Sequence, residues 1–478
     1  MGKPRVTRGP LPANERGNDP YDTGIGVEHY LMLIAPKEEI ETSADLANVV
    51  ADQIGDYLKY IPEKDLFVGW NGKVFEEKIL WVLRHQIRML GSNSHNRTSL
   101  KKLKQRKFID DSIWHLKDDP RIRTPITAFD SNAYELNTPN GIIDLRTGRH
   151  IPHRAPSLVT KLTTTSRKEE RCERFHQFLD EVTDGDASLQ EFLQAMFGAC
   201  LSGAPEAHWM AFILGPTRSG KSVIVELLAH IMGSYAHTTD GSLFRKKSND
   251  ADANPKLYAL MGTRLVIASE EDDGHFDGIM IKQLTGDSHI TTRALYQNVV
   301  TFPRTFKIIA IGNSIPSSSE TSKALEARLK IVPFARSFLD REDFDLPRVL
   351  RQEATAGYVI QWLIQGHIKY LNAGRKFPDC LKVSGATRDY FSDQGTPAQW
   401  LDERCDLDDG LGPASGYTSV REAYHDYCRW KQDRGEKPLA QKRFLGALPS
   451  IQTRKSSVIR LLGVHLHTPF PTEMGDWD

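Results

Sequence analysis

The chain of 478 residues is poor in cysteine: five thiols stand at 172, 200, 380, 405 and 428, with no C-x-x-C pair among them. That spacing argues against a zinc site and a disulfide framework, so reduced thiols are expected. No apolar run approaches the ~20 residues a membrane span needs, and the opening MGKPRVTRGPLPANERGNDP holds no apolar signal core. A cytoplasmic protein without membrane contact is therefore expected. Net charge is missing as well: 62 Lys+Arg balance 62 Asp+Glu, so no global field announces a polyanionic partner and any nucleic-acid contact has to be local. What is present is 39% hydrophobic residues, ample for buried cores, over a length that corresponds to about three domains.

The most informative stretch runs from Trp209 to Ile231, WMAFILGPTRSGKSVIVELLAHI. An apolar run, a Gly-rich turn and an amphipathic run follow one another, which reads as strand, loop and helix. Inside it Gly215, Pro216, Thr217, Arg218, Ser219, Gly220, Lys221 and Ser222 fit G-x-x-x-x-G-K-[ST] at every fixed position. Only a turn with little side-chain bulk lets consecutive backbone N–H groups close around a polyphosphate at a helix N-terminus. In such a loop the lysine reaches the β/γ-phosphates and the Ser222 hydroxyl holds Mg²⁺, so ATP and Mg²⁺ are the expected cofactors.

Ahead of this stretch, residues 1–40 read as a flexible arm, its first 25 residues rich in Gly, Pro, Asn and charge. Residues 41–205 read as a mainly helical domain: Leu46, Val49, Val50, Ile54 and Leu58 recur at helical spacing, as do Ile79, Leu80, Leu83, Ile87 and Leu90. Hairpins are expected at Asn71-Gly72 and around Thr147-Gly148. Between 78 and 107 stand nine Lys/Arg and no acidic residue, a run equally compatible with a solvated helix face and with a DNA-facing one. Phe175, Phe178, Leu179 and Val182, then Leu189, Phe192, Leu193, Met196 and Phe197, mark two more helices.

Downstream, the apolar run Arg264–Ser269 ends in Glu270, Glu271, Asp272 and Asp273. A strand that delivers carboxylates to its end suits a P-loop ATPase, in which one holds Mg²⁺ and one polarises the attacking water. Glu270 is the first choice and Glu271 the second, because neighbouring strand residues point opposite ways. Residues 289–302 read as a hairpin whose middle contains Arg293, Tyr296 and Gln297. A further strand, 306–311, ends near Asn313, which could orient water, and Arg328 precedes another strand at 329–332. Arg328 is open to two roles, a surface salt bridge or a cation for a neighbouring subunit's γ-phosphate.

A core of 206–372 is followed by an expected linker at 373–395 and a C-terminal domain at 396–478. There a helix from Val420 toward Gly435, a second from Leu439 to Leu448 and a hairpin over 458–466 suggest a winged helix. Residues 421–460 carry ten Lys/Arg against four Asp/Glu, which makes Lys442 and Arg443 candidates for duplex phosphates. A protein-docking module fits the same pattern.

The succession GPTRSGKS, LVIASEE, KQLTGDSHITTRALYQ, IIAIGN and ALEARLKIVPF resembles the superfamily 3 helicases, in particular the D5-like branch of phage and plasmid replication proteins, the P4-type primase C-terminal family. LNTPNGIIDLRTG at 136–148 is similar to that branch's domain upstream of the helicase. The resemblance implies an α/β fold with an AAA+-type P-loop NTPase core, a mainly helical N-terminal domain and a small winged-helix-like C-terminal domain. It also implies a homo-oligomeric ring, usually hexameric, that moves 3′→5′ on single-stranded and forked DNA. Because the helical preface fills the residues ahead of the core and shows no paired-carboxylate polymerase site, primer synthesis is expected to need a separate primase or other replication protein. Carried over, Lys221 and Ser222 contact phosphate and Mg²⁺, Glu270 is the Walker B acid, Asn313 is sensor 1 and Arg328 is the arginine finger. Two departures stand out. Ala327 occupies a position where the branch often has a second arginine, and the hairpin tip lacks the Lys and His of better-known rings, leaving Arg293 to hold phosphate and Tyr296 to stack on a base or pack under its own hairpin. A double-stranded DNA translocase or origin-melting initiator, a helicase-primase and a non-enzymatic DNA-binding regulator are the rival functions.

Overall fold

The central sheet is made of continuous apolar runs because both of its faces are buried. Its five parallel strands are β1 (Met210–Leu214), β2 (Ala236–Asp240), β3 (Leu265–Ser269), β4 (Lys307–Gly312) and β5 (Leu329–Pro333), in spatial order β5-β1-β4-β3-β2. The computed structural model describes the chain outside residues 1–25, 33, 35–39, 78, 94–104, 206, 245–254, 270–274, 294–298, 319–321, 342, 408–416, 434–437, 449–452, 456–458 and 468–478. Along each strand the side chains alternate between two separate cores, as the period of two requires. Ala211, Ile213, Ile267, Ile309 and Val332 join one face, while Met210, Phe212, Val266, Ile308 and Ile331 join the other.

The first face is covered by the helices Glu173–Thr183, Ala187–Ala199, Lys221–Met232 and Glu353–Asn372. The expected boundary at 205 therefore falls too late: a parallel sheet needs cover on both faces, and the two helices ahead of β1 supply much of it. The second face is covered by the helix Gly278–Gly286 and by Tyr390 and Phe391 of the helix Leu381–Arg404. That 24-residue helix replaces most of the expected linker. Its glycines and Pro397 read as breaks in sequence, but burial against β5 outweighs them, and Thr387 accepts the Ile331 N–H at 3.0 Å.

The N-terminal domain has its own core, drawn from residues 27–159. Besides its helices the region 41–205 holds two small sheets: strands Leu58–Ile61, Leu66–Trp70 and Phe75–Glu76 form one antiparallel meander, and Glu135–Thr138, Gly141–Asp144 and Arg149–Ile151 form another, whose Leu136 and Ile143 join the core on the first face of the central sheet. The turn at Asn71-Gly72 falls where expected, held by the Asn71 carboxamide oxygen accepting the N–H groups of Lys73 and Val74. Part of the expected arm also folds, since Val27–Met32 is a helix whose Val27 and Leu31 are buried. Residues 1–25 lie outside the described residues.

At the C-terminal end, Trp400 and Leu401 of the long helix enter a further core with Val420, Tyr427, Trp430, Phe444 and Leu461. Asp426 fastens the two together: it accepts from Trp400 Nε1 at 2.8 Å and from Arg404 at 3.1 and 2.7 Å. Burial alone would raise the Asp426 pKa, and these hydrogen bonds reverse that and hold it below the ordinary carboxylate value. The helices Val420–Asp433 and Gln441–Gly446 occur as expected, but the hairpin over 458–466 does not. Gly463, at φ 71, turns the chain so that Ile459–Leu462 pairs with Tyr417–Ser419 and Thr453–Lys455, whereas Val464–Leu466 pairs with Cys405–Leu407. No helix among the described residues is long and apolar enough to cross a membrane.

Three buried cations tie the segment entering β1 to the amino edge of the sheet. Arg264, Arg304 and Lys307 are 3%, 1% and 2% exposed. Arg264 donates to the carbonyls of Leu201, Asn132 and Glu135 at 2.7, 3.2 and 2.7 Å, and its guanidinium lies over the Tyr235 ring. Lys307 donates to the carbonyls of Ser202 and Ala204, and Arg304 to those of Ala207, Asp287 and Phe306. Arg264→Met strands the buried carbonyls of Leu201 and Glu135 and is expected to lower the unfolding free energy by about 3 kcal/mol. A urea midpoint equal to wild type would contradict that role.

Candidate active site

All five strands are parallel, so their carboxyl ends lie along one edge, where open α/β sheets bind ligands. The loop 215–220 leaves β1 at that edge and runs into the helix Lys221–Met232, whose first N–H groups have no intrahelical partners. The loop is tightly walled. A Cβ on Gly215 would stand 2.2 Å from the Phe334 carbonyl oxygen, and one on Gly220, which holds φ 86, would stand 2.6 Å from Val182. Arg218 also adopts a left-handed conformation, at φ 60.

Lys221 is the centre of the loop. It is 7% exposed, and its ammonium donates to the carbonyls of Gly215 and Pro216 at 2.8 and 2.7 Å and to Ser219 Oγ at 3.2 Å. A fourth acceptor, Asn313 Oδ1 at 3.1 Å, comes from the residue after β4. Burial lowers the Lys221 pKa, and these oxygens replace the water that the ammonium loses. The strand order explains the meeting: β4 lies directly beside β1, so two residues 92 apart in sequence share one hydrogen bond. Ser222 is exposed on the first turn of the helix.

The chain after β5 forms a strap along the loop. Phe334 N–H donates to the Leu214 carbonyl at 2.7 Å, Ser337 Oγ to the Thr217 carbonyl at 3.0 Å and Phe338 N–H to the Arg218 carbonyl at 2.9 Å. Carbonyls of the loop are thus engaged by Lys221 on one side and by the strap on the other. Sequence reasoning missed this strap, because its contacts are made mostly by backbone and leave no motif.

The other expected site residues are distributed as follows. Glu270 and Glu271 lie outside the described residues; the preceding Ser269 ends β3 in register with Ile311 of β4. Arg328 is at the opposite edge, since Leu329 pairs with Met210 while Pro333 pairs with Leu214. Five residues of parallel strand separate it from the loop by about 16 Å. It donates to the Ala324 carbonyl at 2.7 Å, and its Nε is buried without a hydrogen-bond partner among the described residues. The hairpin pairs His289–Thr292 with Val300–Pro303, burying Ile290 and Phe302, and Arg304 at its base accounts for its anchorage. Arg293 is half-buried at the end of the first strand, whereas Tyr296 and Gln297 lie outside the described residues. Lys442 and Arg443 are exposed on the helix Gln441–Gly446, far along the chain from the loop.

Two family models match the chain, "D5 N terminal like" over residues 47–184 and a family of unknown function, DUF5906, over residues 213–328. Putative helicase L207/L206 of Acanthamoeba polyphaga mimivirus is 29% identical over 223 residues, 45% of this chain and 23% of the relative. Putative helicase V13 of Sputnik virophage is 29% identical over 195 residues, 37% of this chain and 25% of the relative. This chain thus spans about a quarter of the length of these curated relatives. Among solved structures, the A-form apo structure of the NrS-1 C-terminal region aligns with 85% of this chain and 96% of its own, at 12% identity and a TM-score of 0.41.

Proposed function

We propose that the chain is a D5-like, ATP-dependent DNA helicase whose ATP sites are shared between neighbouring copies, a reading supported by the D5 N-terminal-like match over residues 47–184 and by the similarity to two putative viral helicases. The observation that carries this reading is the Lys221–Asn313 hydrogen bond, which joins the phosphate-loop lysine to the polar residue at the end of the adjacent strand. The intercalation of β4 between β1 and β3 supports an AAA+-type core. The loop fits a triphosphate: both of its glycines stand where a Cβ would collide, and a buried ammonium faces loop oxygens that phosphate oxygens can replace.

In this reading the backbone N–H groups of the loop and Lys221 would bind the phosphates, and Ser222 with Glu270 would hold Mg²⁺. Bound Mg²⁺ supplies charge neutralisation on the β- and γ-phosphates. Glu270 or Glu271 accepts a proton from the attacking water, Asn313 orients that water, and Arg328 stabilises charge on the γ-phosphate of the adjacent copy. The strap 334–338 links the loop to β5 and so to Arg328 on the far edge, which offers a path from one site to the next. The hairpin 289–303 is the strand-gripping element, with Arg293 on phosphate and Tyr296 and Gln297 at the bases. The C-terminal domain, a winged-helix-like unit in this reading, presents Lys442 and Arg443 to duplex phosphates ahead of the fork.

The test is ATP-dependent strand displacement on forks carrying only a 3′ or only a 5′ tail. Displacement of the 3′-tailed substrate is expected. ATP turnover without displacement on either fork would overturn the helicase reading in favour of a duplex translocase or origin-melting initiator.

A further inference from the structure

Two large aromatic side chains project from the N-terminal domain. Trp81, on the helix Leu80–Asn93, is 68% exposed, and Trp114, on the helix Arg106–Asp118, is 62% exposed. Neither belongs to its helix's packing stripe, because Val82, Leu83 and Ile87 bury one helix and Ile109, Ile113 and Leu116 bury the other. The helices are joined by Arg84, which donates to Asp110 Oδ1 at 2.6 Å. Arg84 lies three residues after Trp81 and Asp110 four before Trp114, so each indole sits one turn from the ion pair on the face that carries it. By the same spacing, exposed Arg88 stands one turn beyond Arg84 and exposed Lys107 one turn before Asp110.

We propose that this face is a binding surface for single-stranded nucleic acid, with bases stacking on Trp81 and Trp114 and phosphates meeting Arg88 and Lys107. Charge complementarity selects that occupant. The helix Leu80–Asn93 contains Arg84 and Arg88 and no carboxylate. On the second helix Arg106, Lys107 and Lys117 balance Asp110, Asp111 and Asp118, while Asp110 itself is met by both Arg84 and Arg106. The excess positive charge therefore lies on the first helix, with Lys107 at the start of the second adding to it. Exposed indoles with exposed cations on the same two helices match the sequence-tolerant stacking by which proteins hold unpaired strands, whereas a protein interface core is depleted in charge. The surface shares no residue with the loop around Lys221 and does not depend on ATP hydrolysis.

The full chain, without nucleotide, is irradiated with oligothymidylate carrying 5-iododeoxyuridine, and the adducts are mapped to peptides. Adducts are expected on the peptides containing Trp81 and Trp114. In fluorescence anisotropy W81A/W114A is expected to bind oligothymidylate about tenfold or more weakly, W81F/W114F to recover most of that loss, and R88A/K107A to flatten the salt dependence. ATP turnover of W81A/W114A stays at the wild-type level. Adducts confined to the 289–303 hairpin, or unchanged affinity in W81A/W114A, would overturn the proposal. So would a change in oligomer mass of that variant without a change in strand affinity, which would make the face a contact between copies. Absence of ATP turnover in the wild type would fail the helicase reading and leave this one standing.

Discussion

Lys221→Ala is expected to lower the rate of ATP hydrolysis by roughly a hundredfold or more, with the fold retained. The ammonium is the buried cation that faces the loop oxygens, and no other lysine or arginine among the described residues donates to Gly215, Pro216 or Asn313 in its place. Its loss leaves loop carbonyls that water can reach from the exposed side of Pro216 and Thr217, so the cost in stability is about 1–2 kcal/mol. Far-ultraviolet circular dichroism and a denaturant midpoint check the fold, and a coupled phosphate-release assay with and without single-stranded DNA checks turnover. Wild-type turnover in this variant would remove the loop from the catalytic site.

Arg328→Ala is expected to cost about a thousandfold in turnover, and mixing it with Lys221→Ala is expected to restore activity that neither has alone. The parallel register places Arg328 about 16 Å from the loop of its own copy. In a closed heterologous ring an interface is intact when one copy supplies Lys221 and the next supplies Arg328. Random equimolar mixing makes about one quarter of the interfaces intact. An inactive mixture would place both residues in one chain's site or give Arg328 a structural role, and an active Arg328→Ala variant would exclude it from chemistry. A shared site also requires specific activity to rise with protein concentration through the assembly range.

Much of the core was legible from local patterns. The runs MAFIL, LVIAS and KIIAIG became strands because a sheet buried on both faces needs apolar residues at every position, and the loop glycines Gly215 and Gly220 stand where side chains have no room. Hairpins at Asn71-Gly72 and 289–303 followed from turn chemistry and β-branched alternation. The helix through Gly385, Gly395 and Pro397 was not legible, because burial against β5 overrides propensities that sequence alone can only sum. Nor was the split of 459–466 between two sheets, since strand pairing is decided by partners distant in the chain.

By itself, then, the sequence determined the Gly-rich loop 215–220, the strands that bracket it and the residue types at their ends, because period, turn residues and glycine requirements are local. Only the tertiary structure decided that Asn313 meets Lys221, that 334–338 straps the loop, that Arg264, Arg304 and Lys307 are buried against carbonyls, and that Arg328 lies at the edge of the sheet opposite its own chain's loop. Each of these depends on which strands lie side by side, and strand order is set by the packing of the whole sheet rather than by any segment of it.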